Sequence, residues 1–336
     1  MTTTAEQLAG SAFISDVGPT EKSLWRFLLT LALGAVAFLV VAVLALFISF
    51  GLLIALAGWP MPTSVDSLQA LLRRFVQLTA SDGRSFGDAL QMIAIAIPDN
   101  VLPIWAIIGV AALVHRRRLK TFITSAPKFR WRMLASGVLL PALIIGPFIG
   151  IGQWLDPTHA TPPIITVSDN IGQGVIYAVV CVAAFLPAAF GEEVLFRGWL
   201  LRQLSGVTRN AAVIIVLDGV IFAAGHFQFG PDALLERTIL GAAFAYMTLR
   251  LGGVEFSTGA HLANNLMIVL FLEPLTLKAP AEAGVTVGTL AQYAYLIVSY
   301  VAMTELMVRW APLRRWSGVD RSAAPTTTTA TAAHFS

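Results

Sequence analysis

Glu192 and Glu193 stand side by side in "FGEEVLFRGWL", with Arg197 four residues beyond the second of them. No charged residue precedes them back to Asp169, so the pair is set in an apolar run. A charged side chain near the centre of a bilayer costs about 2.5–3.5 kcal/mol on insertion scales, so a chain keeps one there only if it is paired or faces a cavity. Glu193 and Arg197 fall on one helix face and can pair. Glu192 is turned roughly 100° away from Glu193. The two carboxylates therefore point differently and suit different tasks. One is neutralised by arginine. The other is free to take or give a proton, and an apolar cavity makes a carboxylate more basic, as a general base requires.

Two later stretches hold polar side chains in similar settings. "FAAGHFQFG" carries His226, with Phe222 one turn before it. "HLANNL" carries His261 and Asn265, four residues apart and on one face. Together they offer two neutral donors in one direction, which is what a developing oxyanion needs. Taken singly, each motif also has a structural reading. Glu193 and Arg197 read as an ion pair at a helix end, His226 as a hydrogen-bonded packing residue, and His261 with Asn265 as polar glue between helices.

Depth joins them. Glu192 and Glu193 precede a turn at "SGVTRN" by about a dozen residues, roughly 18 Å of helix, and His226 follows it by about sixteen, roughly 24 Å. His261 lies roughly 10 Å inside its own helix. One cavity can hold all three motifs. Asp218, eight residues before His226, reads as a residue of the cytoplasmic third of its span rather than as part of the site. Asn264 also stays outside the set, and Asp99 with Asn100, between Pro98 and Pro103, marks an interrupted helix.

The elements that must position these residues follow from composition. Of 336 residues, 57% are hydrophobic and only 12% charged, with mean hydropathy +0.76. Soluble domains carry about 25% charged residues. Repeated apolar runs of bilayer length then predict an all-α, polytopic transmembrane helical bundle of about eight spans. These run near 27–57, 90–114, 133–154, 171–204, 211–229, 234–249, 254–272 and 290–308. "LQALLRRFVQL" reads as an amphipathic stretch between the first two.

The chain divides into a segment 1–23, N-terminal transmembrane helices 24–155, a catalytic core 156–275, a last transmembrane helix 276–316 and a low-complexity tail 317–336. The basic run 115–132 holds seven Lys and Arg and no acid. Such runs stay on the cytoplasmic side, which puts both termini there and suggests the plasma membrane. The net charge of +3 fits membrane orientation rather than nucleic-acid binding. Cys181 is the single cysteine, which excludes an intrachain disulfide and a cysteine metal cluster. The polar opening and the long first apolar run do not read as a cleavable signal peptide.

The ordered set Glu-Glu-x-x-x-Arg, Phe-x-x-x-His and His-x-x-x-Asn, over roughly Ile171 to Phe271, resembles the CPBP family. These are the CAAX proteases and bacteriocin-processing enzymes, also called the Abi family. The resemblance implies an intramembrane endopeptidase acting on membrane-associated peptides or CAAX-type protein C-termini. Glu192 would activate water and His226 would help hold it. Glu193 and Arg197 would orient each other and the substrate, including its C-terminal carboxylate, and His261 with Asn265 would stabilise the oxyanion. The partners implied are a peptide or protein substrate and the bilayer. No obligate cofactor is favoured. A divalent metal such as zinc stays open, with Glu192, His226 and His261 as candidate ligands, although no H-E-x-x-H helix is present. Two rival readings are a non-proteolytic immunity or scaffold protein of the same fold and an ion-coupled transporter.

Overall fold

The structure is a computed structural model and describes residues 4–155, 161–277 and 284–319. The tail from 320 onward lies outside the described residues. Among the described residues there are helices and no strands. Eight long helices occupy the eight predicted runs, and an amphipathic helix lies between the first two.

Helix α1 (Leu24–Ala57) starts at Ser23, whose hydroxyl accepts from the Arg26 N–H, and stops at Gly58 in the left-handed region at φ 65°. Its 34 residues outrun a bilayer of about 30 Å. Helix α2 (Val65–Thr79) opens on a reciprocal Ser64–Ser67 capping box. It buries Leu71 and Leu78 while Val65, Leu68 and Val76 face outward, the division expected of an amphipathic stretch. Helix α3 (Phe86–His115) runs unbroken through Pro98 and Pro103, so the predicted interruption is not a break. Asn100 Nδ2 donates to the Ala96 carbonyl at 2.8 Å inside that region, which helps hold the turn where proline removes donors.

Helix α4 (Trp131–Leu155) leads to α5, which is α-helical over Ile171–Glu193, widens into a π turn over Val194–Leu200 and ends as Leu201–Val207. Helix α6 (Ala211–Ala224) is capped by Asn210 Oδ1, which accepts from two backbone N–H groups. Helix α7 (Pro231–Leu251), helix α8 (Glu255–Met267, prolonged by a π turn over Ile268–Leu272) and helix α9 (Val287–Arg309) complete the bundle.

Among the described residues, five helices, α1, α3, α4, α5 and α9, are long and apolar enough to cross a membrane. Helix α6 is apolar but has only 14 residues. Helices α7 and α8 are interior elements. Asp232, Glu236, Arg237 and Arg250 dilute the apolar character of α7, and most of α8 is buried within the bundle. The polar motifs lie on α5, on α8 and at the end of α6, and α7 packs among them.

Close packing at small residues sets their spacing, as is usual between membrane helices. A Cβ built on Gly241 of α7 would lie 2.8 Å from the Gly219 Cα of α6, and one on Gly259 of α8 would lie 2.3 Å from the Leu134 carbonyl oxygen of α4. At both crossings a side chain would push the helices apart. The first crossing controls how near α7 comes to Arg197. The second fixes α8 two residues from His261.

Candidate active site

Glu193 ends the regular part of α5, and the π turn begins at the next residue. Single π turns inside α-helices recur at functional sites because they re-aim side chains. Here Glu193 and Arg197 keep their shared face, and both are completely buried. Arg197 Nη1 donates to Glu193 Oε1 at 3.0 Å. Its Nη2 donates to the Gly241 carbonyl at 3.0 Å, a contact the glycine crossing permits. Its Nε lies 3.2 Å from Asp218 Oδ2, and its guanidinium carbon sits 4.2 Å from the centre of the Phe222 ring.

Asp218 is therefore a member of this cluster, fully buried against Arg197, and the reading that set it apart from the site is corrected. A buried charge must be paired, and Arg197 is the cation within reach. Its place in a 14-residue apolar helix with no other charge was the signal available. The cluster continues to α8. His261 Nδ1 lies 3.0 Å from Glu193 Oε1, so the ring donates Nδ1–H to that carboxylate. The ring also stacks on Phe244 of α7, 5.1 Å between centres and 24° between planes.

Glu192, turned the other way, faces a cleft of about 400 Å3. The cleft is lined by Glu192 from α5, His226 just past α6, Glu236 and Arg237 from α7, and His261, Asn264 and Asn265 from α8. Glu193, Arg197 and Asp218 lie behind its wall. His226 Nδ1 lies 2.8 Å from the Phe222 carbonyl. A carbonyl only accepts, so that nitrogen carries the proton and neutral His226 leaves Nε2 as a bare lone pair. Neutral His261 does the same, since its Nδ1–H is given to Glu193. Both Nε2 atoms lie 3.8 Å from Glu192 Oε2, beyond a direct hydrogen bond. That oxygen is buried and accepts from no protein group among the described residues.

The structure thus brings Glu192, His226, His261 and Asn265 to one cleft and places Glu193 and Arg197 immediately behind it. Asn264, set aside by its absence from the motifs, also lines the cleft. Residues 174–267 match the family model described as "Type II CAAX prenyl endopeptidase Rce1-like". Every residue of the three motifs falls inside that stretch. The chain is also similar to the uncharacterized protein YyaK of Bacillus subtilis (strain 168), 27% identical over 184 residues. That alignment covers 52% of this chain and 60% of the relative, so the chain spans about three fifths of the length of the curated relative it matches. No solved structure matches. The family and the apolar helices together make this an integral membrane protein.

The donor types at the cleft, two imidazole nitrogens and a carboxylate oxygen, are ones zinc accepts. Glu192, His226 and His261 are the residues that would hold such an ion.

Proposed function

We propose that the protein is an intramembrane endopeptidase that hydrolyses peptide bonds of membrane-associated peptides or of CAAX-type protein C-termini. The observation that carries this reading is Glu192 Oε2 set between two imidazole Nε2 atoms at 3.8 Å each, in a cleft inside the bundle. A water donating to Glu192 and to His226 Nε2 would be poised in that space. Its oxygen adds to the scissile carbonyl carbon while its proton passes to Glu192. The carbonyl π electrons move onto oxygen. When the C–N bond breaks, Glu192 returns the proton to the leaving amine.

Asn265 Nδ2 and His261 serve the oxyanion. A neutral His261 that gives Nδ1–H to Glu193 has no Nε2–H to give, so it serves the oxyanion only when Nε2 also carries a proton. Glu193 orients the ring through Nδ1, and Arg197 holds Glu193 in place.

Arg197 has no surface from which to grip a substrate carboxylate. The cation in the cleft is Arg237, whose side chain makes one long hydrogen bond, 3.4 Å to the Ala233 carbonyl of its own helix. It supplies the site for a free C-terminal carboxylate, with Glu236 beside it on the next face. In this reading residues 156–275 form the catalytic core, and the basic run 115–132 and both termini are on the cytoplasmic side of the plasma membrane. A zinc ion held by Glu192, His226 and His261 is the second reading, favoured by the donor types alone.

The test uses protein purified in detergent and stripped with chelator, wild type beside Glu192→Gln, with metal content measured on each. The substrates are a panel of prenylated and unprenylated membrane-associated peptides. Cleavage by the stripped wild type and none by the variant is expected. Equal cleavage by both removes Glu192 as base. Activity that returns only with metal favours zinc. No cleavage across the panel moves the weight to a scaffold, immunity or transport role.

A further inference from the structure

A second cleft, of about 570 Å3, lies far along the chain from the motifs, where α4 begins and α9 ends. Its lining includes Lys128, Trp131 and Arg132 from the start of α4, and Arg315 and Trp316 from the short helix Ala311–Ser317 that follows α9. Among the described residues no Asp or Glu lines it. Arg130 is also present but is spent on Glu255, 2.7 Å from its carboxylate. Lys128, Arg132 and Arg315 have no ion-pair partner among the described residues, and Arg132 sits 5.8 Å over the Trp316 ring. The next acid in the sequence, Asp320, is outside the described residues and is followed by Arg321.

The end of α4 is already served by Glu255, which accepts from the Arg130 N–H at 3.3 Å and from its guanidinium. An anion in the cleft therefore meets the three free cations, not the helix end. The tryptophans give the depth. Trp131 is 69% exposed and Trp316 44%, at the ends of membrane helices, where such rings settle at headgroup level. A soluble anion has no use for two exposed indoles. A phospholipid places its phosphate among the cations and its glycerol and upper acyl carbons against the rings.

We infer that this cleft binds the headgroup of an anionic phospholipid. The inference is independent of the peptidase reading.

The test uses full-length protein in mixed micelles containing phosphatidylglycerol or phosphatidylcholine brominated on the acyl chains, with tryptophan fluorescence as readout. The anionic lipid should quench about twofold more than the zwitterionic one. That excess should vanish in Lys128→Gln/Arg132→Gln/Arg315→Gln and in Trp131→Phe/Trp316→Phe. It should persist in Arg309→Gln, which removes a nearby cation outside the cleft. Equal quenching by the two lipids overturns the inference. So does loss of the excess in Arg309→Gln, which would mean diffuse charge attraction. Competition by millimolar inorganic phosphate as strong as that by unbrominated phosphatidylglycerol would overturn the lipid in favour of a free phosphate.

Discussion

Two buried arginine–glutamate pairs hold α8, and they are built differently. Arg130 secures its first residue. Its Nε and Nη2 donate to the two oxygens of Glu255 at 3.0 and 2.7 Å, and its Nη1 donates to the Leu251 carbonyl at 2.8 Å. Arg197 reaches α8 through Glu193 and His261, and there the matching is incomplete. Glu193 Oε2, Arg197 Nε and both Asp218 oxygens are buried without a hydrogen-bond partner, and the Arg197–Asp218 contact is an ion pair only. A saturated pair has no electrostatic freedom left and can only position. An under-satisfied cluster of two acids, one guanidinium and an imidazole keeps a strong field in a low-dielectric setting. The first is architecture; the second reaches the cleft through His261.

The largest expected effect lies on the cleft side of that cluster. Glu192→Gln keeps the shape of the side chain and removes the base. Cleavage should fall by about 10²–10⁴-fold in kcat, with no loss of thermal stability in detergent. A variant that cleaves at the wild-type rate would take the chemistry away from Glu192.

Stability separates the two pairs next. Arg197→Met leaves two carboxylates buried without a cation, and Arg130→Met leaves one, each costing about 3–5 kcal/mol. The double variants then part. Arg130→Met/Glu255→Leu should recover most of the melting temperature and keep kcat within about threefold. Arg197→Met/Glu193→Gln should recover less stability, because Asp218 is left buried without its partner, and should not recover kcat. If both doubles regain activity equally, the distinction between positioning pair and working cluster is wrong.

Glu193→Gln probes the cluster without breaking it. The amide oxygen can still accept from His261 Nδ1, but the side chain no longer carries the charge that pairs with Arg197. The expected result is a kcat lower by about 10–100-fold with KM little changed. A kcat at the wild-type level would leave Glu193 a purely structural role.

Spacing made much of this legible. Residues four apart on a helix face each other whatever the rest of the fold does, so Glu193 with Arg197 and the positions of His226, His261 and Asn265 could be read directly. Bilayer-length apolar runs fixed the helices for the same reason. Asp218 was misjudged because its partner is on another helix, and a lone acid gives no clue to its pairing. The Gly241 carbonyl, the Phe244 stack and Arg237 in the cleft all come from α7, which carries no motif. They enter the site only through the Gly219–Gly241 crossing, a three-dimensional fact with no local periodicity. The two prolines of α3 mark a kink site inside one span and leave the helix continuous, because membrane helices tolerate them where neighbours satisfy the backbone.

Arg237→Gln tests the substrate end of the cleft. KM for peptides with a free C-terminal carboxylate should rise about tenfold with kcat little changed, while the amidated peptides should be indifferent. Arg237→Lys should restore part of the difference. Loss of both peptides equally would make Arg237 a packing residue.

The smallest effect belongs to a third arginine–glutamate pair, at the edge of the molecule. Arg117 Nε donates to Glu21 Oε1 at 2.5 Å and Nη1 donates to Asp16 Oδ2 at 3.0 Å, tying the segment before α1 to the end of α3. Glu21 also accepts from Thr20 and from the Gly18 N–H. Burial works to raise the Glu21 carboxyl, but the bonds from Arg117 and Thr20 and the guanidinium charge outweigh it and hold it below its ordinary 4.5. A carboxylate depressed in the folded state stabilises above its ordinary value and loses that contribution as pH falls through the folded one. The protection factors of residues 12–21 against amide exchange, with the intrinsic pH dependence divided out, should therefore be flat above about pH 5 and fall below 4.5, while those in α8 stay unchanged. Glu21→Gln should show the faster exchange at every pH, by a factor corresponding to about 1 kcal/mol. Acid-induced opening that persists unchanged in Glu21→Gln would place the titrating group elsewhere, with Asp16 the next to test. Like Arg130 with Glu255, and unlike the cluster behind the cleft, this pair should move stability and leave kcat alone.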